Sequence, residues 1–339
     1  QADWIEITSI FELQKIGSET AYPLNASYVL NQDIDASETR TWNNGNGFMP
    51  IGSLSKPFTG KFDGRGHKIT GLYIHRSDIT GAGLFCQATQ STIKNLGIVN
   101  AHVFSTAGIS GILAGGCTQC SLSECYATGA VGGSGQVGGL VGEATSSYFT
   151  RCWAETAIGS STANAGGLVG NASYRCTFYY CFSDGWGSVQ GCAGGLVGFL
   201  GSQSTIDTCY SMFEIRSAAA AGGLIGSTYS GDSRNTVNLC YAAGAVHGTG
   251  NDTGGLIGAQ SHAVSFSRCY WDAQSTGQSA SPGIDETIYG HSTADMKNPA
   301  AYSGWDFVTT WAIDASINDG YPNLFGVTSV SSEIDEVEE

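Results

Sequence analysis

The five-residue string Gly166-Gly167-Leu168-Val169-Gly170 is repeated through the middle of the chain. Copies with Val or Ile in the fourth position stand at residues 138–142, 194–198, 222–226 and 254–258, so their second glycines are separated by 28, 28, 28 and 32 residues. Weaker copies at residues 83–85 and 111–113 extend the same step upstream. A fixed period of about 20–50 residues is typical of a repeat architecture, in which one structural unit recurs along the chain.

A second marker follows the same period. Cysteine-aromatic pairs occur once per period, at Cys125-Tyr126, Cys152-Trp153, Cys181-Phe182, Cys209-Tyr210, Cys240-Tyr241 and Cys269-Tyr270. An apolar residue precedes each cysteine by three positions, and another follows most of them by six positions, although Gly187 departs from this pattern. Each period therefore has three short apolar stretches. They are too short for helices, and their glycines would each cost a helix about 1 kcal/mol, so they predict short β-strands separated by turns.

A three-strand unit repeated every 28 residues predicts an all-β fold, a parallel β-helix of roughly eight coils. One coil cannot bury its apolar face alone, so the stack of coils is the domain. We expect one domain over residues 1–330, with an N-terminal cap and opening strands at 1–60, coils at 61–272 and a C-terminal cap at 273–330. Ser9 to Ile16 predicts a capping helix. Aromatic and apolar residues of the C-terminal cap are expected to cover the last coil: Trp305, Phe307, Trp311, Tyr321 and Leu324.

Composition narrows the function classes. The chain has 49 glycines, and its net charge of −15 argues against nucleic acid and anionic membrane surfaces as partners. No apolar run reaches the length of a membrane span, so we expect no membrane insertion. Residues 331–339 predict an acidic tail or linker, and the start at Gln1 instead of methionine predicts that a leader has been removed.

The repeat resembles the GLUG motif of bacterial secreted and surface proteins, including the non-catalytic N-terminal part of IgA-specific metallopeptidases. The segment 28–35 is similar to the opening strand of that family, 58–67 to its first coil, and 304–307 with 321–324 to its closure. The resemblance implies a right-handed β-solenoid on an extracellular or cell-surface protein. It implies no catalytic residues.

The cysteines of the repeat are spaced 27–31 residues apart, one per coil, which predicts a column of small apolar side chains in the core. Metal binding would require cysteines that converge, and Cys117-Thr118-Gln119-Cys120 is an isolated Cys-x-x-Cys motif. The remaining cysteines lie off the column, and disulfides among them are expected if the protein is exported: Cys86, Cys117, Cys120, Cys176 and Cys192.

The aromatic residues that follow the cysteines form a second column. If these rings face solvent, they make a flat strip for sugar rings; if they are covered, they form a structural stack. A residue next to an inward-facing cysteine points outward in a regular strand. The candidate ligand-binding residues are therefore Tyr126, Trp153, Phe182, Tyr210, Tyr241 and Tyr270.

The acidic residues of the coils occupy different positions within the 28-residue period by our interpretation, so we predict that they form no catalytic cluster. Asp207 is expected to share a polar column with Thr150 and Asn238. The six histidines include no metallopeptidase motif, so we predict no resident metal. A calcium site formed by Asp33, Asp35 and Asp63 is the alternative to that prediction.

Three hypotheses follow for function. The first is a non-enzymatic extracellular module with a binding, adhesive or spacer role, whose partner is a glycan or a host surface protein. The second is a structural subunit whose coils stack head-to-tail into a filament or sheath. The third is a polysaccharide-cleaving enzyme, which would require paired carboxyl groups.

Overall fold

The computed structural model describes residues 4–159, 162–228, 234–249, 252–260, 264–282 and 290–327. Within them, short strands pair in parallel from one coil to the next and form a β-solenoid of about seven regular turns, which confirms the predicted fold class. Each of the regular coils contains four strand segments instead of three. The difference arises in the glycine-rich string, which bends at Gly139-Leu140 between the short strands Val137–Gly138 and Val141–Thr145.

Four sheets run along the solenoid. The strands of sheet 1 are Ile5–Ile7, Ser27–Leu30, Lys61–Asp63, Thr92–Lys94, Ser121–Ser123, Tyr148–Thr150, Thr177–Tyr179, Thr205–Asp207, Asn235–Asn238 and Val264–Ser267. Sheet 2 contains Ile34–Asp35, Lys68–Thr70, Tyr73–Arg76, Gly97–Ser105, Tyr126–Gly133, Trp153–Gly159, Phe182–Val189, Tyr210–Ser211, Glu214–Ser217, Tyr241–Ala242, Val246–Gly248, Tyr270–Asp272 and Gly290–His291. The strands of sheet 3 are Gly81–Ala82, Ile109–Gly111, Val137–Gly138, Ala165–Gly166, Ala193–Gly194, Ala221–Gly222 and Thr253–Gly254. Sheet 4 contains Phe85–Thr89, Ala114–Thr118, Val141–Thr145, Val169–Tyr174, Val197–Ser202, Ile225–Thr228 and Ile257–Ala259.

The register places like residues over like residues. In sheet 1, Leu122 lies beside Phe149, and Phe149 beside Phe178, with the two phenyl rings stacked at 4.8 Å between centroids. All three side chains are fully buried, whereas the residues on either side of each face outward. This alternation follows from the strand geometry, and it produces one continuous apolar core inside the solenoid, from Ile7 to Trp271.

The repeated glycines are required by close backbone packing. A Cβ atom on Gly138 would overlap the carbonyl oxygen of Val141, and one on Gly139 would overlap the carbonyl oxygen of Gly167 on the next coil. The equivalent glycines of the other four strings are approached by backbone or side-chain atoms at similarly short range. All five strings lie in the described part of the chain, and none of their glycines has a positive φ. Glycine is therefore needed in the string because there is no space for a side chain, and not because the backbone adopts a left-handed conformation.

Left-handed turns occur elsewhere, at residues that are not glycine. In seven coils the residue directly before the column cysteine, or before Leu96 in its place, has a φ of 50–56°: Asn95, Glu124, Arg151, Tyr180, Thr208, Leu239 and Arg268. A second corner with positive φ precedes sheet 1 at Gln90, Gln119, Ser146, Arg175 and Gln203. This conformation is uncommon for such residues. The two corners therefore form two further rows along the solenoid, one on each side of sheet 1.

The segments at the two ends differ in what they cover. The helix Ile10–Lys15 is capped by the Ser9 hydroxyl, which accepts a hydrogen bond from the Glu12 N–H at 3.3 Å, and its Ile10 and Leu13 side chains enter the N-terminal end of the core. A long 3₁₀ segment, Ser37–Gly45, follows. Near the C-terminal end, the Ser281 hydroxyl accepts hydrogen bonds from the N–H groups of Leu256 and Ile257.

The C-terminal segment packs against the last coil, where the Trp305 ring lies 5.8 Å from the Tyr270 ring and the Tyr321 hydroxyl donates a hydrogen bond to Asp272 at 2.7 Å, and it also extends well beyond that coil. It contains the helix Thr293–Met296, the 3₁₀ turns Pro299–Ala301 and Asn318–Gly320, and an antiparallel pair of strands, Trp311–Ala312 with Asn323–Leu324. It folds back along the outer face of sheet 2 and reaches Arg151, whose Nη1 donates a hydrogen bond to the Phe325 carbonyl at 3.2 Å. The predicted acidic tail, 331–339, lies outside the described residues. No helix in the described chain is long and apolar enough to cross a membrane.

Candidate functional site

The cysteine column lies inside the solenoid, as predicted. The six side chains of Cys125, Cys152, Cys181, Cys209, Cys240 and Cys269 are at most 1% exposed. Burial raises the pKa of Cys209 and Cys240 well above the ordinary value. All eleven cysteines of the chain are unpaired, so the predicted disulfides among the other five are not formed in this structure. The six thiols of the column fill the core and are shielded from reagents and metals in solution.

A second column of small groups was not recognised in the sequence. It lies at the start of the sheet 1 strands, directly before the strand in five coils and at its first residue in the sixth, and consists of Ser91, Cys120, Ser147, Cys176, Ser204 and Asn235. Their polar atoms bond to the next coil: the Ser91 hydroxyl donates to the Cys120 sulfur at 3.2 Å, and the Cys176 N–H donates to the Ser204 hydroxyl at 3.1 Å. Cys120 and Cys176 therefore replace serine in a buried hydrogen-bonded row. The recurring position before the sheet 1 strand was the available signal.

The aromatic column faces outward from sheet 2, as the alternation of the strand predicted. Its rings stack almost parallel, with centroid distances of 4.5 Å from Tyr126 to Trp153, 5.4 Å from Trp153 to Phe182, and 4.8 Å from Phe182 to Tyr210. Tyr210 and Tyr241 continue the stack at 5.1 Å. Pairs of this kind contribute about 0.5–1.5 kcal/mol beyond the area that they bury.

The C-terminal segment covers most of this column. Trp311 lies 6.2 Å from the Tyr210 ring and 6.1 Å from the Tyr241 ring, and the Tyr241 hydroxyl donates a hydrogen bond to the Pro322 carbonyl at 2.6 Å. Trp153, Phe182, Tyr210 and Tyr241 are buried as a result, whereas Tyr126 and Tyr270 remain partly exposed. The six rings form one row, and in this arrangement its middle four rings form a second apolar core. Ligand binding by the column stays a prediction that requires the segment to move.

The structure corrects the interpretation that the coil acids share no phase. Glu155 and Asp184 are neighbours on adjacent strands of sheet 2, because each follows its column cysteine by three residues. Burial raises the pKa of Glu155 to about 7, and the negative charge of Asp184 adds to the rise. Burial also raises the pKa of Asp184, although its carboxylate accepts a hydrogen bond from the Gly185 N–H. The shared spacing from the cysteine could have revealed this pair.

Several other acidic residues are already paired with hydrogen-bond donors. Asp207 accepts a hydrogen bond from the Asn238 side chain at 3.2 Å, and this confirms part of the predicted polar column. Asp33 contacts His67 at 3.1 Å, Asp35 accepts from the Ser37 N–H, and Asp63 pairs with Lys94 at 3.2 Å. No group of three metal-ligating side chains occurs among the described residues, so the proposed calcium ligands Asp33, Asp35 and Asp63 do not converge.

The outer face of sheet 1 has aromatic rings that no segment covers in the part of the chain that the structure describes. Tyr148 is 58% exposed, Tyr179 is 40% exposed, and Tyr174 at the end of the neighbouring strand is 37% exposed. Tyr148 lies between Ser121 and Thr177 on the adjacent strands. The outward residues of the sheet are otherwise mostly serine, threonine and asparagine, so the rings stand on a flat surface of hydroxyl and amide groups.

No protein-family model matches the chain. A stretch of 144 residues, 40% of the chain, is 42% identical to Halomucin of Haloquadratum walsbyi, and it covers 2% of that protein. A stretch of 118 residues, 32% of the chain, is 34% identical to a putative Gly-rich membrane protein of Evansella cellulosilytica and covers 12% of it. The chain thus matches only a small part of each relative.

Two solved structures are similar over most of the chain. A putative immunoglobulin A1 protease from Bacteroides ovatus matches with a TM-score of 0.61 and 18% identity, over 96% of this chain and 93% of that one. A chain described as IgA1 protease matches with a TM-score of 0.58 and 15% identity, over 78% of this chain and 21% of that one. At these identities the similarity concerns the fold alone. The protein therefore shares the β-solenoid fold of IgA1 protease chains, the fold that its repeat led us to expect.

Proposed function

We propose that this chain is a non-enzymatic module of an extracellular or cell-surface protein and that it binds glycans on the outer surface of a rigid solenoid. The outer face of sheet 1 carries the proposal. It presents exposed tyrosine rings within rows of hydroxyl and amide groups, repeated at the coil spacing of about 4.8 Å. Aromatic faces that stack on sugar rings, together with fixed polar groups, are suited to carbohydrate.

An extracellular location is supported by the GLUG-like repeat and by the relative described as a membrane protein. A module role is supported by the comparison of lengths, since the matching stretch is only 2% of Halomucin. A host surface protein is the alternative partner for the same face.

Polysaccharide cleavage remains a second candidate because of Glu155 and Asp184. Strands in a sheet lie about 4.8 Å apart, which is close to the carboxyl separation of about 5–5.5 Å in retaining glycosidases. However, Asp319 of the C-terminal segment brings a third negative charge close to Asp184, and this charge raises its pKa further. We interpret the pair as part of the contact between the segment and sheet 2.

A glycan array probed with the intact chain tests binding, and release of reducing sugar from a polysaccharide panel tests cleavage. We expect binding without cleavage. Cleavage that is abolished by Glu155→Gln would replace the proposal with the enzymatic one. Absence of binding across the array would reject glycan recognition.

Light scattering on the same sample tests head-to-tail assembly. The helix Ile10–Lys15 covers one end of the core, so a filament would require that helix to be displaced. We therefore expect a monomer, and polymers whose mass grows with concentration would favour the structural hypothesis.

A further inference from the structure

The outer face of sheet 1 differs from the rest of the molecule in charge. We define the basic face as the outward residues of the eight strands from Lys61–Asp63 to Val264–Ser267, together with the two corner rows that border them. Among the described residues this face has five cationic side chains: Lys61, Lys94, Arg151, Arg175 and Arg268. It has three acidic ones: Asp63, Glu124 and Asp207. Five of the 14 lysines and arginines of a chain with net charge −15 therefore lie on this one face, where cations outnumber acids.

The acids of this face do not neutralise its arginines. Asp63 pairs with Lys94, and Asp207 accepts hydrogen bonds from Asn238 and Thr208. Among the described residues, no arginine of the basic face forms an ion pair with a carboxylate. The face thus keeps an excess of positive charge, and its corner position places that charge at the two edges of the sheet.

Arg175 is held in a fixed orientation next to the exposed rings. Its guanidinium lies 4.9 Å from the centroid of the Tyr174 ring, and its Nε donates a hydrogen bond to the Gln203 side chain at 2.6 Å. Gln203 also contacts the Tyr174 hydroxyl at 3.1 Å. Tyr174, Arg175 and Gln203 therefore form a preorganised group, which reduces the entropy that a ligand must overcome.

Tyr148 and Tyr179 lie between two arginines. Arg151 directly follows the strand that contains Tyr148, and Arg175 precedes the strand that contains Tyr179, so the two arginines lie at opposite edges of sheet 1 on neighbouring coils. The corners are five residues apart along a strand, or about 15 Å. A short run of sugar rings could contact both tyrosines and reach an arginine at each edge.

We propose that the basic face binds an acidic polysaccharide, with carboxylated sugars paired to Arg151 and Arg175 and their rings stacked on Tyr148 and Tyr179. Guanidinium groups favour carboxylates because their geometry permits two parallel hydrogen bonds. The proposal rests on the glycan-binding role above and adds the chemical class and the location. Widely spaced arginines between neutral hydroxyl rows fit a polymer with about one charge per sugar better than the dense phosphates of nucleic acid.

The test measures the affinity of the intact chain for immobilised polygalacturonate, with neutral dextran and duplex DNA as comparison surfaces. We expect binding to polygalacturonate that weakens as salt rises, because exposed charges are screened over about 8 Å at physiological ionic strength. Arg175→Gln and Tyr148→Ala should each weaken it about two- to tenfold. Trp186→Ala is the matched control: that ring is 39% exposed on sheet 2, and its removal should leave the affinity unchanged.

Thermal unfolding of each variant verifies that the solenoid is intact, which we expect because these side chains are exposed. Three outcomes would overturn the proposal. They are an equal loss of affinity in Trp186→Ala and Tyr148→Ala, stronger binding to DNA than to polygalacturonate, and no binding to polygalacturonate at low salt. Binding to dextran that none of the basic-face variants changes would overturn it too, while leaving the broader glycan-binding function in place.

Discussion

Replacing Gly167 by alanine tests whether the repeated glycines are required by close packing between coils. The new Cβ atom would overlap the carbonyl oxygen of Gly195 and lie 2.8 Å from the Ser183 Cβ and 2.9 Å from a Phe213 ring carbon. Carbon atoms in contact are normally about 3.5–4.0 Å apart. The two coils must therefore separate locally or the strand must shift.

The magnitude follows from the contacts at that position. The Gly167 N–H donates to the Gly195 carbonyl at 2.9 Å, and the Leu168 N–H donates to the Leu196 carbonyl at 3.0 Å. Loss of two such bonds costs about 0.5–1.5 kcal/mol each, and overpacking a core typically costs about 1–3 kcal/mol. We therefore expect Gly167→Ala to lower the free energy of unfolding by about 2–6 kcal/mol.

Gly159→Ala is the control for this variant. Gly159 also lies in a strand, but a Cβ atom there would meet no atom within 4 Å. Alanine at such a position is expected to be neutral or stabilising by about 0.4–1 kcal/mol, since it reduces the entropy of the unfolded chain. Urea unfolding followed by circular dichroism measures both values. Similar stability of the two variants would refute the packing explanation and return the glycines to a conformational role.

Three further predictions concern the buried groups. Iodoacetamide should modify only the partly exposed Cys192 in the native protein and all eleven thiols after denaturation, as counted by mass spectrometry; native labelling of Cys181 would contradict the buried column. Trp311→Ala should weaken the packing of the C-terminal segment on sheet 2 by about 3–5 kcal/mol, so that limited proteolysis cleaves within residues 293–327 while the β-strand signal in circular dichroism is kept. Val308→Ala, at a residue that is 83% exposed, should not increase cleavage. Because the folded-state pKa of Glu155 is raised from 4.5 to about 7, the free energy of unfolding of the wild type should fall as pH rises across that interval. Glu155→Gln should therefore be the more stable protein at pH 8. If the variant and the wild type have the same dependence of stability on pH, the Glu155 carboxyl is solvated in the folded protein.

Much of the solenoid was predictable from the sequence because its contacts are periodic. Leu122, Phe149 and Phe178 meet because each occupies the same phase of a 28-residue step, and the outward direction of Tyr126 follows from the inward direction of Cys125. The pairing of Glu155 with Asp184 was available from the same rule. Each of these two acids stands three residues after a column cysteine, and that shared spacing places them side by side on adjacent strands.

Features that depend on non-periodic contacts could not be predicted from the sequence and are seen only in the structure. Arg151 binds the carbonyl of Phe325, which is 174 residues away in the chain, and no local pattern indicates that contact. The same segment decides that Tyr210 and Tyr241 are buried instead of exposed to a ligand. The basic face likewise appears only when the left-handed corners bring Arg175 and Arg151 to the edges of one sheet.

The sequence by itself therefore determined the coil, its period, the stacking of like side chains and the buried cysteine column, because stacked strands transmit one register along the whole solenoid. Only the tertiary structure decided which outward surfaces are free. The C-terminal segment covers the aromatic column of sheet 2 and leaves the tyrosines of sheet 1 exposed. The physical reason is that burial of an outward side chain depends on whether a distant segment packs against it, and a repeat places that side chain without specifying its cover.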